Sequence, residues 1–366
     1  MNYKESLFFI GKCLTLGQCP EKAEKVRREI RSGSVVWEQI VWASTDQFVF
    51  SALYLQLKRS GLLPELPADL VEYMEEFTSL NRDRNSLIIN QAYEISGLLN
   101  QHGIVPIFLK GVGHLLDGLY EDIGERQVGD IDILVEESEM VRAARILISE
   151  GYVASWNFDP NIMKVHRHYP RLLNNDRTAA VEIHRQVFMS SFNKTNDIGF
   201  ITREGRMLNI PHHAIVMSNQ HQIVHNILNV QINDKGYCTA KIFLRQIYDL
   251  LLLSLREDPL KAINEFGLYS QEMNVNLALA NQLLDYPDAI TFQPNWKAKL
   301  FLFRVNFNLN HPLWSQLSNG IISFYFKHVS YLNFMLYSIF DKNIRSYVFK
   351  RLRSPKWYIK QFRNYK

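Results

Sequence analysis

Cysteine is scarce in this chain of 366 residues: Cys13, Cys19 and Cys238 are its only three. They cannot build a disulfide framework, and without a Cys-x-x-Cys pair they suggest no zinc site. A reducing, cytoplasmic location is the default expectation. Long apolar runs are also missing. The N-terminal stretch holds only Leu7 to Ile10, too short for a secretory signal, so the Asn193-Lys194-Thr195 sequon reads as a chance match. The most lipid-like stretch, Ile321 to Phe340, is broken by Lys327 and His328. A span needs about 20 predominantly apolar residues, so a buried or interfacial helix is expected there and no transmembrane span. Internal repeats are absent, and so are a Walker loop and a Gly-x-Gly-x-x-Gly fingerprint.

Acid is missing from one end. Lys342 to Lys366 holds nine Lys/Arg and no Asp or Glu, while the rest of the chain carries 32 basic and 37 acidic residues. The overall +4 therefore hides an acidic body and a basic tail. Such a tail attracts nucleic acid, a membrane surface or nucleotide phosphates, or packs on its own acidic body. What is abundant is apolar and aromatic: 47% and 12%, enough for a sizeable core and incompatible with collagen-like or disordered classes. At roughly 150 residues per domain the length suggests two to three domains, or one with appended helices.

Helical periodicity runs from Glu21 to about Leu99, with Pro67-Ala68-Asp69 expected to open a helix. The pattern changes at His102. Ile104 to Leu109 and Ile131 to Val135 read as strands, separated by a helix at Gly113 to Tyr120 and a polar loop. Ser138 is expected to cap a helix over Glu139 to Glu150, ended by Gly151. Tyr152 to Trp156 and Ala179 to Val187 read as further strands. After Pro211, helices are expected at Ala214 to Val230 and Thr239 to Leu255.

Two strands carry acid. In Gly129-Asp130-Ile131-Asp132-Ile133-Leu134-Val135 the aspartates alternate and share a face. Paired carboxylates repel unless a cation neutralises them, and hard oxygen ligands suit Mg²⁺; a strand end with surface aspartates is the plain alternative. In Val181-Glu182-Ile183-His184 the acid and the histidine face one way. Three carboxylates on neighbouring strands suit two-metal phosphoryl transfer. Gly111 and Gly113, at a strand-to-helix turn, leave room for phosphate to approach the backbone.

Phe108-Leu109-Lys110-Gly111, Arg126, Gly129 to Val135 and Val181 to His184 together resemble the uncharacterised nucleotidyltransferase family of the DNA polymerase β-like superfamily. Trp37-Glu38, Pro64 to Pro67, Arg353-Ser354-Pro355, Phe362-Arg363 and Tyr365 look like the family's flanking features. The resemblance implies an α+β fold: a small mixed-sheet nucleotidyltransferase core (101–200) between an N-terminal helical region (1–100) and a C-terminal one with the basic tail (201–366). It implies a magnesium-dependent transferase moving a nucleotidyl group from a nucleoside triphosphate to an acceptor hydroxyl. The acceptor is a small molecule, a protein or RNA. A non-catalytic nucleotide-binding or interaction protein that keeps the fold is the alternative. Asp130, Asp132 and Glu182 match the catalytic metal ligands, for two Mg²⁺ ions during turnover. Lys110, Gly111, Gly113 and Arg126 match the nucleotide-binding positions, although Val112 stands where the superfamily usually has a second Gly or Ser. His184 is a candidate to orient a metal-binding carboxylate or to act as general base.

Other constellations are weaker. His221 and His225 share a helix face, but Gln222 stands where a zincin has Glu, so these residues, with His212 and His213, are read as cleft-lining or packing groups. His166, His168 and Arg171 sit in a loop that either reaches substrate or faces solvent. Cys238 reads as a core thiol.

Overall fold

The structure is a computed structural model that describes residues 1–159, 166–187, 204–208, 210–286, 288 and 290–353. The sequon at Asn193 and the tail beyond Arg353 lie outside the described residues. Helices α1 (Tyr3–Cys13), α2 (Lys22–Arg31), α3 (Trp37–Asp46) and α4 (Phe50–Arg59) open the chain. Asn2 starts α1 with a capping box: its side chain accepts from the Glu5 amide at 3.0 Å, and the Glu5 carboxylate accepts from the Asn2 amide at 2.8 Å. The proline at 67 opens α5 (Ala68–Gln101) as expected. This helix runs for 34 residues because its interior lacks proline and has one glycine, Gly97.

Among the described residues the sheet has seven strands: β1 (Ile107–Leu109), β2 (Asp130–Leu134), β3 (Val153–Ala154), β4 (Leu172–Leu173), β5 (Ala180–His184), β6 (Arg206–Met207) and β7 (Ile215–Val216). Their spatial order is β3-β4-β5-β2-β1-β7-β6. β2 and β5 are parallel, β1 and β2 antiparallel, and β1 and β7 parallel, so the sheet is mixed. Two strands lie past residue 200. Residues 215 and 216 fall where a helix was expected; they pair with Ile107 and Phe108 instead. A short apolar run cannot be told from a helix start by periodicity. The sheet is crossed by α6 (Lys110–Leu116) and α7 (Met140–Ser149). A 3₁₀ turn at Glu137–Glu139 precedes α7, so Ser138 is not its cap; Gly151, at φ +87°, does follow its end.

The rest is helical: α8 (Asn219–Leu228), α9 (Gly236–Thr239), α10 (Leu244–Ser254), α11 (Pro259–Phe266), α12 (Ser270–Leu284), α13 (Trp296–Asn310), α14 (Pro312–Phe340) and α15 (Lys342–Leu352). The two ends of the chain interlock. α1 packs on α12 so closely that a Cβ on Gly11 would fall on the Leu283 carbonyl oxygen. Nearby, Lys22 Nζ donates to the Leu284 carbonyl at 3.0 Å. One apolar core, from Leu7 to Val305, joins helices and sheet. α14 forms the expected helix; of the two placements expected for it, buried or interfacial, burial does not hold, because it buries none of its residues.

The polar side chains of α5 do structural work that its sequence conceals. Asn81 and Asn85 donate to the Gly124, Arg126 and Ile123 carbonyls at 2.6–3.2 Å. Arg82 holds Asp122 with two bonds, at 3.0 and 2.7 Å. Gln91 clamps both the amide and the carbonyl of Ala179, at 3.0 and 2.8 Å. The loop entering β2 and the residue before β5 are thus tied to one rigid rod. Those are the two strands that carry the acids.

Candidate active site

The parallel register sets Asp132 opposite Glu182 and Leu134 opposite His184. Side chains on alternate strand positions share a face, so Asp130, Asp132, Glu182 and His184 converge as the sequence pattern predicts. Asp132 is buried at the centre. Its Oδ1 accepts from Lys110 Nζ at 2.5 Å and from His184 Nε2 at 2.7 Å. Glu182 Oε2 lies 3.6 Å from the same His184 nitrogen. Ligand atoms of Asp132, Glu182 and His184 all fall within 4.8 Å of one another; among the described residues this is the metal-type cluster.

The charges respond to that crowding. Burial would raise the Asp132 pKa, but the Lys110 ammonium and the His184 hydrogen bond outweigh it and hold the carboxyl well below its ordinary value. His184, 3.6 Å away, likewise lowers Glu182. Asp130 shifts the other way: burial, then repulsion from Asp132 and Glu182, pushes it up, with Lys110 and Arg171 opposing. Arg171 Nη2 lies 3.8 Å from Asp130 Oδ2, so the loop between β3 and β5 does reach the acidic site. From the same loop, the backbone of His168 forms an antiparallel bridge to that of His184, while His166 packs near Trp156.

Lys110 enters the site at a backbone cost. It stands at φ +52°, a left-handed conformation unusual for a residue with a side chain and typical of functional positions. Behind it, Gly113 is a packing glycine: a Cβ there would lie 2.8 Å from the Phe108 carbonyl oxygen and 3.0 Å from its carbon. Gly111 is crowded by side chains instead, with Val128 Cγ2 at 3.1 Å and Arg126 Cζ at 3.7 Å. Gly113→Ala is therefore expected to push α6 off β1 and destabilise the fold by about 1–3 kcal/mol. Gly111→Ala, meeting movable side chains, should cost less; urea unfolding midpoints of the two variants, if reversed in order, would refute this.

Asp130 and Asp132 open on a cavity of about 170 Å³, whose lining does not include Glu182. Its lining includes Lys110, Arg126 and Arg245 as cations and Asp130, Asp132, Asp234 and Asp249 as acids. Arg126 is buried and ion-paired: its Nε donates to Asp249 Oδ1 at 3.0 Å, and Nη2 lies 3.0 Å from Oδ2. Tyr120 donates to the same Asp249 at 2.7 Å, and buried His114, its pKa lowered to about 4 by desolvation, lies 3.8 Å away. Asp234 and Arg245 were not visible as site residues in the sequence. A π-helical turn, Asn229–Asn233, ends α8 and aims Asp234 at the cavity; such turns recur at functional sites. Burial raises the Asp234 pKa, against Lys110, Arg167 and Arg245. Burial, then repulsion from Arg126, lowers Arg245 to about 10. A π-turn a hundred residues downstream leaves no short motif to find.

A family model for uncharacterised nucleotidyltransferases matches residues 33–283. The chain belongs to the uncharacterised nucleotidyltransferase family. The match takes in this family member's whole sheet and cavity, with Trp37-Glu38 and the Pro64–Pro67 segment, but ends before α13, α14 and α15 and before the terminal Arg-Ser-Pro. No curated protein and no solved structure matches it. The family supports nucleotidyl transfer in general, and the α+β fold with its helix-flanked mixed sheet suits it. Of the histidines, His225 lines the family member's cavity, whereas His221 lies 3.5 Å from Glu204. His212 packs on Gly97 of α5, and the backbone of His213 bonds to Asn100. Cys238 is half-buried, not a core thiol. Among the described residues no helix is long and apolar enough to cross a membrane.

Proposed function

We propose that the chain transfers a nucleotidyl group from a nucleoside triphosphate to an acceptor hydroxyl and releases pyrophosphate, with Mg²⁺ as its metal. The observation that carries this reading is the pairing of Asp132 with Glu182 across parallel strands, which gathers carboxylates beside a cavity that also holds Lys110 and Arg245. The donor set fits the ion: hard oxygens suit Mg²⁺, and the crowding that raises Asp130 is what a dication relieves. Asp130, Asp132 and Glu182 would hold it, and when bound it neutralises phosphate charge and acidifies the oxygens it binds.

The chain's own groups supply the rest. Lys110 and Arg245 donate to phosphate oxygens, and His184 fixes the Asp132 carboxylate through Oδ1. Arg126, ion-paired with Asp249, gives the cavity a rigid wall. Glu182 takes the proton of the acceptor hydroxyl; that oxygen bonds to the α-phosphorus, and pyrophosphate leaves with the electrons of the broken bond. The enclosed space lies below the roughly 300 Å³ at which small-molecule pockets begin, so it suits the phosphate end of the substrate, with the nucleoside toward solvent.

Incubation with each labelled nucleoside triphosphate, Mg²⁺ and cell extract tests this. A labelled acceptor and pyrophosphate, both lost with a chelator, are expected. One observation favours a second reading, a non-catalytic nucleotide binder: Lys110 and His184 already satisfy Asp132 without metal. Triphosphate binding with no turnover in any extract would decide for it.

A further inference from the structure

Helix α14 presents an apolar stripe outward. Leu317, Ile321, Phe324, Leu332, Met335 and Ile339 are each more than half exposed, Ile321 by 60% and Ile339 by 61%. They follow at three- and four-residue steps, with His328 filling the one gap, so they lie along one side of the helix. From Leu317 to Ile339 that side is roughly 33 Å long at 1.5 Å per residue. A contiguous exposed apolar surface of this extent marks an interaction site. It lies outside the part of the chain matched by the family.

Charge selects the occupant. From residue 289 to 366 the sequence has thirteen Lys/Arg and one acid, Asp341. That acid is spent on the start of α15, where its Oδ1 accepts from the Asn343 amide at 2.8 Å. Arg345 closes the end of α14, donating to the Ser338 and Ile339 carbonyls at 2.9 and 3.0 Å; Lys342, Lys350 and Arg353 are exposed beside it. A second copy would set like charge against like. An anionic lipid surface answers both the stripe and the charge, and the exposed Trp314 and Tyr325 suit the headgroup level. The helix does not qualify as a span, so it lies in the plane of the interface.

We propose that α14, with the basic α15 beside it, docks this chain on anionic phospholipid membranes. Flotation of the full chain with phosphatidylcholine vesicles, with and without phosphatidylglycerol, tests it. Binding to the anionic vesicles alone is expected, weakening with salt. Ile321→Glu with Phe324→Glu, and separately Lys342→Glu with Lys350→Glu, should each lower partitioning by about tenfold or more, with circular dichroism and triphosphate binding unchanged. Three results would overturn it. One is no flotation at low salt, with or without RNA binding. Another is wild-type flotation by the Ile321/Phe324 variant. The third is a wild-type dimer that this variant alone dissolves.

Discussion

Asp132→Asn is expected to abolish Mg²⁺-dependent pyrophosphate release while leaving the fold intact. The amide keeps the shape of the carboxylate and one acceptor oxygen for Lys110 or His184. It loses the charge that a divalent ion and the Lys110 ammonium both require. Removing one preorganised electrostatic group costs about 10²–10³ in rate, and a lost metal ligand adds to that, so a fall on the order of 10³-fold or more is expected. Lys110 is part-exposed, at 27% for its side chain, and its freed charge can turn to water. The unfolding midpoint should therefore stay near wild type. Undiminished pyrophosphate release by this variant would remove Asp132 from the site.

The largest loss of stability is expected from Asp249→Ala. This carboxylate is 1% exposed and neutralises Arg126, itself 7% exposed, and it also accepts from Tyr120. Breaking a buried pair leaves an uncompensated charge and costs about 3–5 kcal/mol. The urea midpoint should drop with an unchanged slope. Asp249→Leu combined with Arg126→Met removes both charges and should recover most of that loss. A single variant that loses under about 1 kcal/mol, within the range of exposed ion pairs, would mean that Arg126 finds water or another partner. The same double variant separates roles: a stable but inactive protein places Arg126 at the phosphates as well as in the wall.

The acids were legible in the sequence because strand alternation is a local signal. Asp130 and Asp132, and Glu182 and His184, announce their shared faces within seven residues, and sheet register needs only to bring the pairs together. The opening of α5 at Pro67 was legible for the same reason. The partners that hold the acids in place were not. Asn81, Asn85 and Gln91 look like solvent-facing helix polarity until the β2 and β5 approaches pack against them. Asp249 reads as an acid in a leucine-rich helix, and only the fold shows Arg126 beneath it. Asp234 and Arg245 reach the cavity through a π-turn and a separate helix, and no spacing rule links them to residue 132. At residues 214–216 the apolar run suits helix or strand equally, and pairing with β1 settles it. For α14 the apolar aromatic pattern left burial and an interfacial placement open, and only the fold shows that its neighbours, such as Tyr347 against Phe334, leave every residue at least partly exposed.

The clasp between α1 and α12 orders the birth of the molecule in time. Helix α1 has its seat on Leu283, synthesised about 270 positions after Gly11. At roughly 5–20 residues per second, it is without that seat for about 13–50 s of translation. During that wait the face that will meet Leu283 is bare to chaperones or neighbouring nascent chains, while another side of α1 already has a partner in α3, where Phe9 meets Trp37 with ring centroids 6.4 Å apart.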